Sequence, residues 1–119
     1  MPKPSRTHLT KAETEEFDAI MPLVSQMHKD FQELTKKKPD GGVSNARIVM
    51  VNRLLQRAKQ SLSKEPSWSL LDVLDGDLLP QNADVMLVIG QYVAALAGVR
   101  TKYQENSYGT MEWKTREQS

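Results

Sequence analysis

The chain reads as an all-α protein: a small antiparallel bundle of three long helices plus one short helix, with a polar N-terminal arm and a C-terminal tail. Three observations predict this class. Three stretches carry apolar residues at alternating spacings of three and four, the period of one face of an α-helix. Turn residues fall between them at short intervals, which favours antiparallel neighbours. The length of 119 residues suits one domain with a single core.

The first helix is expected over residues 10–37. Thr10 and Glu13 have capping-box spacing, in which each side chain satisfies a backbone N–H of the other residue. Phe17, Ile20, Val24, Met27, Phe31 and Leu34 then form six successive hits on a heptad seam. Pro22 removes one backbone donor inside this run, and because the stripe stays in phase on both sides a kink is expected and not a break. Lys36, Lys37 and Lys38 suit the negative end of the helix dipole. Pro39, Asp40, Gly41 and Gly42 then make a turn.

Ser44 is placed to cap a second helix over 44–64, with Ile48, Val51, Leu55, Ala58 and Leu62 on its buried face. Pro66 ends it. A short helix near 68–75, capped by Ser67 or Ser69, is expected to run through Leu70, Leu71 and Leu74 and stop at Gly76. A connector with Pro80 leads to Asn82, the expected cap of the last helix, 82–105. The resulting organisation is an arm over 1–9, a helical bundle domain over 10–105 and a tail over 106–119 that still carries Tyr108, Met111 and Trp113.

The last helix is the most informative element, because it is apolar on two opposite sides. Val85, Ile89, Tyr92, Leu96, Val99 and Tyr103 form one stripe, and Ala83, Leu87, Gly90, Ala94 and Ala97 form another about half a turn away. One stripe is enough to join a core. A second stripe of mostly small residues implies another partner, so Leu87, Gly90, Ala94 and Ala97 are the expected protein interface. Trp113 joins them as an aromatic in an otherwise polar terminus, which either docks on a partner or folds back as a lid over the domain's own core. The run from Val85 to Val99 covers roughly 22 Å at 1.5 Å per residue, short of the ~30 Å hydrocarbon core, and it reads as a buried helix with no membrane role.

Composition narrows the function classes. Hydrophobic content of 39% and charged content of 26% are ordinary for a soluble chain, while aromatics at 6% make the core aliphatic and Met-filled. With no cysteine, disulfides, thiolate zinc sites and cysteine nucleophiles drop out, and a cytoplasmic location is expected. The N-terminus lacks the apolar run of a signal peptide. Net charge is +1 but uneven: residues 1–64 hold 12 Lys/Arg against 7 Asp/Glu, and residues 65–119 hold 4 against 8. The halves are electrically complementary, either across an internal seam or as a dipolar surface that orders subunits.

The chemistry-bearing residues are sparse. Asp72, Asp75, Asp77 and Asp84 are the best candidates for a hard cation, but their spacing does not supply an EF-hand loop, and aspartates are favoured near turns for their backbone hydrogen bonding. His8 and His28 have no partner by spacing. No phosphate loop, nucleophile elbow or zinc spacing occurs, so no catalytic residue, cofactor, metal or small-molecule substrate is expected and the chain is read as a non-enzyme. The expected function is a helical subunit or adaptor that associates with itself or within a larger assembly. The alternative is an accessory subunit that binds nucleic-acid phosphates through Arg53, Arg57 and Lys64, opposite the buried stripe of the second helix, with Arg47 at its start. No aromatic residue is interleaved with those charges, so base stacking has no platform.

Overall fold

The computed structural model describes residues 9–107 and 110–113, with side chains through Tyr103. Among these residues three helices dominate: α1 (Lys11–Lys37), α2 (Asn45–Ser61) and α3 (Asn82–Tyr103). α1 starts on the expected box, in which the Thr10 N–H donates to Glu13 Oε1 at 3.0 Å and the Glu13 N–H donates to Thr10 Oγ1 at 3.1 Å. It then runs as one helix through Pro22. Phe17, before the proline, is as buried as Val24 after it, so the stripe does stay in phase. Leu9 departs from the expected arm. Its side chain is fully buried in the core, so the core extends at least one residue ahead of the helix cap.

Ser44 caps α2 by accepting from the Arg47 N–H at 3.3 Å. The helix ends at Ser61, three residues short of expectation. Leu62, Ser63 and Glu65 donate their N–H groups back to residues 58–62 in tight turns, which close the chain before Pro66. The short helix expected near 68–75 is replaced by two 3₁₀ turns, Pro66–Leu70 and Gly76–Leu78, with an extended strap between them. Leu71 and Leu74 of the strap are buried as anticipated, while Leu70 points out.

Asn82 is not the side-chain cap of α3. Its amide is buried and donates to the Lys38 carbonyl at 2.9 Å, while its own N–H and that of Ala83 donate to the carbonyls of Gly41 and Pro39. Asp84 caps the start instead, accepting from the Gln81 N–H at 2.8 Å. The first turn of α3 is thus stitched to the α1–α2 turn. Gly41 is required there, since a Cβ would stand 2.8 Å from the Asn82 amide nitrogen.

α3 ends at Tyr103. β1 (Gln104–Ser107) and β2 (Thr110–Trp113) follow as an antiparallel pair, Gln104 opposite Trp113 and Ser107 opposite Thr110. The hairpin replaces the last turn expected for the helix and part of the expected tail. Tyr108 lies outside the described residues, as do the side chains of Met111 and Trp113.

The core has one dominant seam. α1 packs most extensively against α3, less against α2, while α2 and α3 touch only sparsely. Phe17, Ile20, Val24 and Phe31 meet Val85, Ile89, Tyr92, Leu96 and Val99, with Ile48, Val51, Leu55 and Ala58 closing one side.

Candidate association surface

The two stripes of α3 separate as the periodicity requires. Every residue of the first stripe is buried: Val85, Ile89, Tyr92, Leu96, Val99 and Tyr103. On the second, Leu87 is 66% exposed and Ala94 and Ala97 are exposed, joined by Gly98. Gly90 differs. It is half-buried beneath His28 of α1, whose Nε2 would lie 3.4 Å from an added Cβ, so the imidazole roofs the stripe at that point. Ala94 lines a shallow depression with Ser67, Leu70, Leu71, Gln91 and Ala95. The 3₁₀ turn and the strap cover one flank of the stripe and leave its centre open.

α3 is also, by length and composition alone, long and apolar enough to cross a membrane, with an 18-residue window of mean hydropathy 1.4. The 15-residue count from Val85 to Val99 is shorter because it excludes the flanking turns. In the fold a third of that window is buried within the bundle. Gln91 hydrogen-bonds outward to Asp72, which places a polar contact at the middle of the helix.

The basic side of α2 is less uniform than its sequence implies. Arg57 faces Glu16 of α1, Nε to Oε1 at 2.6 Å and Nη2 to Oε2 at 3.4 Å. The hydrogen bond from Arg57 holds the Glu16 carboxyl below its ordinary pKa, with the guanidinium charge adding to it and slight burial opposing. Arg53 flanks the same contact. Arg47 sits at the other end of the helix beside Asp30, Glu33 and Lys37, and Lys64 lies beyond the end of α2. Carboxylates therefore sit among three of the four cations, Arg47, Arg53 and Arg57, and the four do not form one continuous ridge.

The aspartates have structural partners. Asp75 accepts from the Asp77 N–H at 2.9 Å, and Asp84 is the α3 cap. Asp72 exchanges two hydrogen bonds with Gln91: its N–H donates to Gln91 Oε1 at 2.9 Å and its Oδ2 accepts from Gln91 Nε2 at 2.8 Å. Among the described residues no group of three or more His, Cys, Asp or Glu is placed to hold a metal. His8 lies outside the described residues.

Two amides that periodicity did not single out, Gln91 and Asn52, organise this side of the molecule together with the Tyr92 hydroxyl. Asn52 repeats the Gln91 arrangement from the other helix, donating to the Leu74 carbonyl at 2.8 Å and accepting from the Leu74 N–H at 3.0 Å. Tyr92 donates its hydroxyl to the Asp72 carbonyl at 2.6 Å. Burial, seconded by the Asp72 charge, pushes the Tyr92 phenol up to about 12. For Gln91 the sequence signal is an amide interrupting an otherwise apolar helix; Asn52, in a helix with many polar residues, carries no such signal.

A further buried charge sits where α3 ends. Glu65 has a side chain only 5% exposed; its Oε2 meets Lys102 Nζ at 3.3 Å and its Oε1 is buried without a hydrogen-bond partner among the described residues. Burial pulls the Lys102 ammonium down most strongly, but Tyr103 and Glu65 together outweigh it and the pKa is raised.

Compared with protein-family models, curated proteins and solved structures, the chain finds no significant match.

Proposed function

We propose that this chain is a non-enzymatic helical subunit whose role is association, and that the face it uses first is the outer stripe of α3, with a second copy as occupant. One observation supports this reading: the folded bundle buries the inner stripe of α3 completely and leaves Leu87, Ala94 and Ala97 uncovered. A two-fold axis that runs two α3 helices antiparallel sets the bulky Leu87 of each copy over the small Ala94–Ala97 stretch of the other. This is the self-complementary match that an isologous interface needs. Small residues let the backbones approach closely, and His28 forms a polar rim beside Gly90.

The test is light scattering on the purified protein across a concentration series. A dimer or larger species is expected at high micromolar concentration, and Ala94→Arg, which puts a charge into the seam, should weaken it by at least about tenfold. A strict monomer would overturn self-association as the function. Assembly that Ala94→Arg and Leu87→Glu leave untouched would remove α3 from it.

A further inference from the structure

A second apolar surface lies on the opposite side of the bundle, and it does not depend on the α3 seam. α1 and α2 diverge there into a groove with no α3 residue in its walls. Its deeper part is a cavity of about 550 Å³ between Met27, Phe31 and Leu34 of α1 and Met50, Val51 and Leu54 of α2. A second depression continues the groove past Met50 and Leu54 to Ile20 and Leu23. Leu23 is 58% exposed and Met50 66% exposed, a concentration of large apolar side chains that an isolated surface would not favour. From Ala19 to Lys37 the α1 wall is about 27 Å long at 1.5 Å per residue.

The charges along the two walls differ in sign. α1 contributes Glu16, Asp30 and Glu33, with Lys37 as the exception at its end; α2 contributes Arg47, Arg53 and Arg57. They are also matched by level: Asp30 and Glu33 stand beside Arg47, and Glu16 stands beside Arg53 and Arg57.

We infer that this groove is closed by the α1–α2 hairpin of a second copy, giving a four-helix bundle about a two-fold axis parallel to the helices. Such an axis preserves level and sets α1 of each copy beside α2 of the other. Both edges then bring Glu16, Asp30 and Glu33 against the arginines of the second copy, while Leu23, Met27, Met50 and Leu54 meet at the centre. A two-fold axis across the helices would instead face acid with acid and base with base, an arrangement like-charge repulsion disfavours. Together with the α3 seam, two isologous faces on one chain generate an assembly larger than a dimer.

The groove is tested in full-length protein carrying Ala94→Arg, so that the α3 face is silenced. This background should remain dimeric by light scattering at high micromolar concentration; a monomer would overturn the proposal while leaving the α3 reading intact. Two charge-reversed versions then follow, Asp30→Lys with Glu33→Lys and Arg47→Glu with Arg53→Glu. Each alone should lose self-association by about tenfold or more, and an equimolar mixture should recover it, because only the mixed pair has opposite signs at both edges. Equal association of the separate versions, or no recovery on mixing, would refute the arrangement. Met50→Cys in the otherwise cysteine-free chain gives an independent reading if a reversed version fails to fold. The level-preserving axis sets the two thiols at one height across the centre of the bundle, on diagonally opposed helices, so a short flexible thiol-specific crosslinker should join the copies into a covalent dimer, and its failure to do so would count against the proposal.

Discussion

Raising the pH should destabilise this fold through one phenol. Tyr92 is fully buried on the inner stripe of α3, donates to the Asp72 carbonyl at 2.6 Å, and titrates near 12 in the fold. An unfolded tyrosine titrates near 10. A group whose folded pKa is raised contributes stability that is present below the unfolded value and lost as pH rises through the folded one. The window here is therefore pH 10 to 12. With these two values the linkage relation gives a loss of about 1.4 kcal/mol at pH 11 relative to pH 8, approaching about 2.7 kcal/mol well above pH 12. Urea titrations of wild type and Tyr92→Phe at pH 8 and pH 11 isolate this group, since every other ionisable residue is common to both. Tyr92→Phe should be less stable by about 1 kcal/mol at pH 8 for the lost hydrogen bond, and should become equal to or more stable than wild type at pH 11. An unchanged difference between the two proteins at the two pH values would refute the placement of this phenol.

Further outcomes follow from other side chains. Phe17→Ala should cost roughly 3 to 5 kcal/mol in a denaturant titration, because the ring lies in the core on the far side of Pro22; a loss below about 1 kcal/mol would make the first turns of α1 peripheral. Lys102→Met should destabilise by about 1 to 3 kcal/mol by leaving the buried Glu65 carboxylate without its counter-charge, and Glu65→Leu in the same chain should recover much of it; additive losses in a double-mutant cycle would break this coupling. Asn52→Leu should cost roughly 1 to 3 kcal/mol, since both polar groups of Leu74 lose their partner at once, and no change in the urea midpoint would contradict the strap geometry. In a low-salt assay with DNA and RNA, binding should be weak and should strengthen on Glu16→Gln, which releases Arg57; tight, salt-sensitive binding by the wild type would favour the nucleic-acid alternative.

Much of the helical architecture was legible because helix stripes and caps are local signals. Thr10 with Glu13, Ser44, and the heptad from Phe17 to Leu34 needed only neighbours within one or two turns. The short element between Pro66 and Gly76 misled for the same reason. Leu70, Leu71 and Leu74 have helical spacing, but Asn52 and Gln91 supply backbone partners from two other helices and make an extended conformation the better-satisfied one. Asn82 was a plausible cap by type, yet the carbonyls of Pro39 and Gly41 take the orphan donors, a contact across more than forty residues. The double stripe of α3 was visible in full; that His28 covers Gly90 was not. The groove between α1 and α2 was hidden because Met27 and Leu34 look like core residues by spacing and become half-buried only once the helices diverge.

The sparse contact between α2 and α3 has a consequence for how the molecule forms. The helix that α1 grips most firmly is the one made last, so its main seam closes only after more than forty intervening residues have been gathered in. The neighbouring α1–α2 hairpin forms over a short loop but offers the weaker contact and an open groove. Closure of the larger loop carries a greater entropic cost than closure of the α1–α2 hairpin, so the docking of α3 and the stitching of its first turn to Gly41 are expected to come late in folding. On the reverse path α2 is the element held least, and amide exchange should show it opening, together with the strap, at lower free energy than α1 and α3.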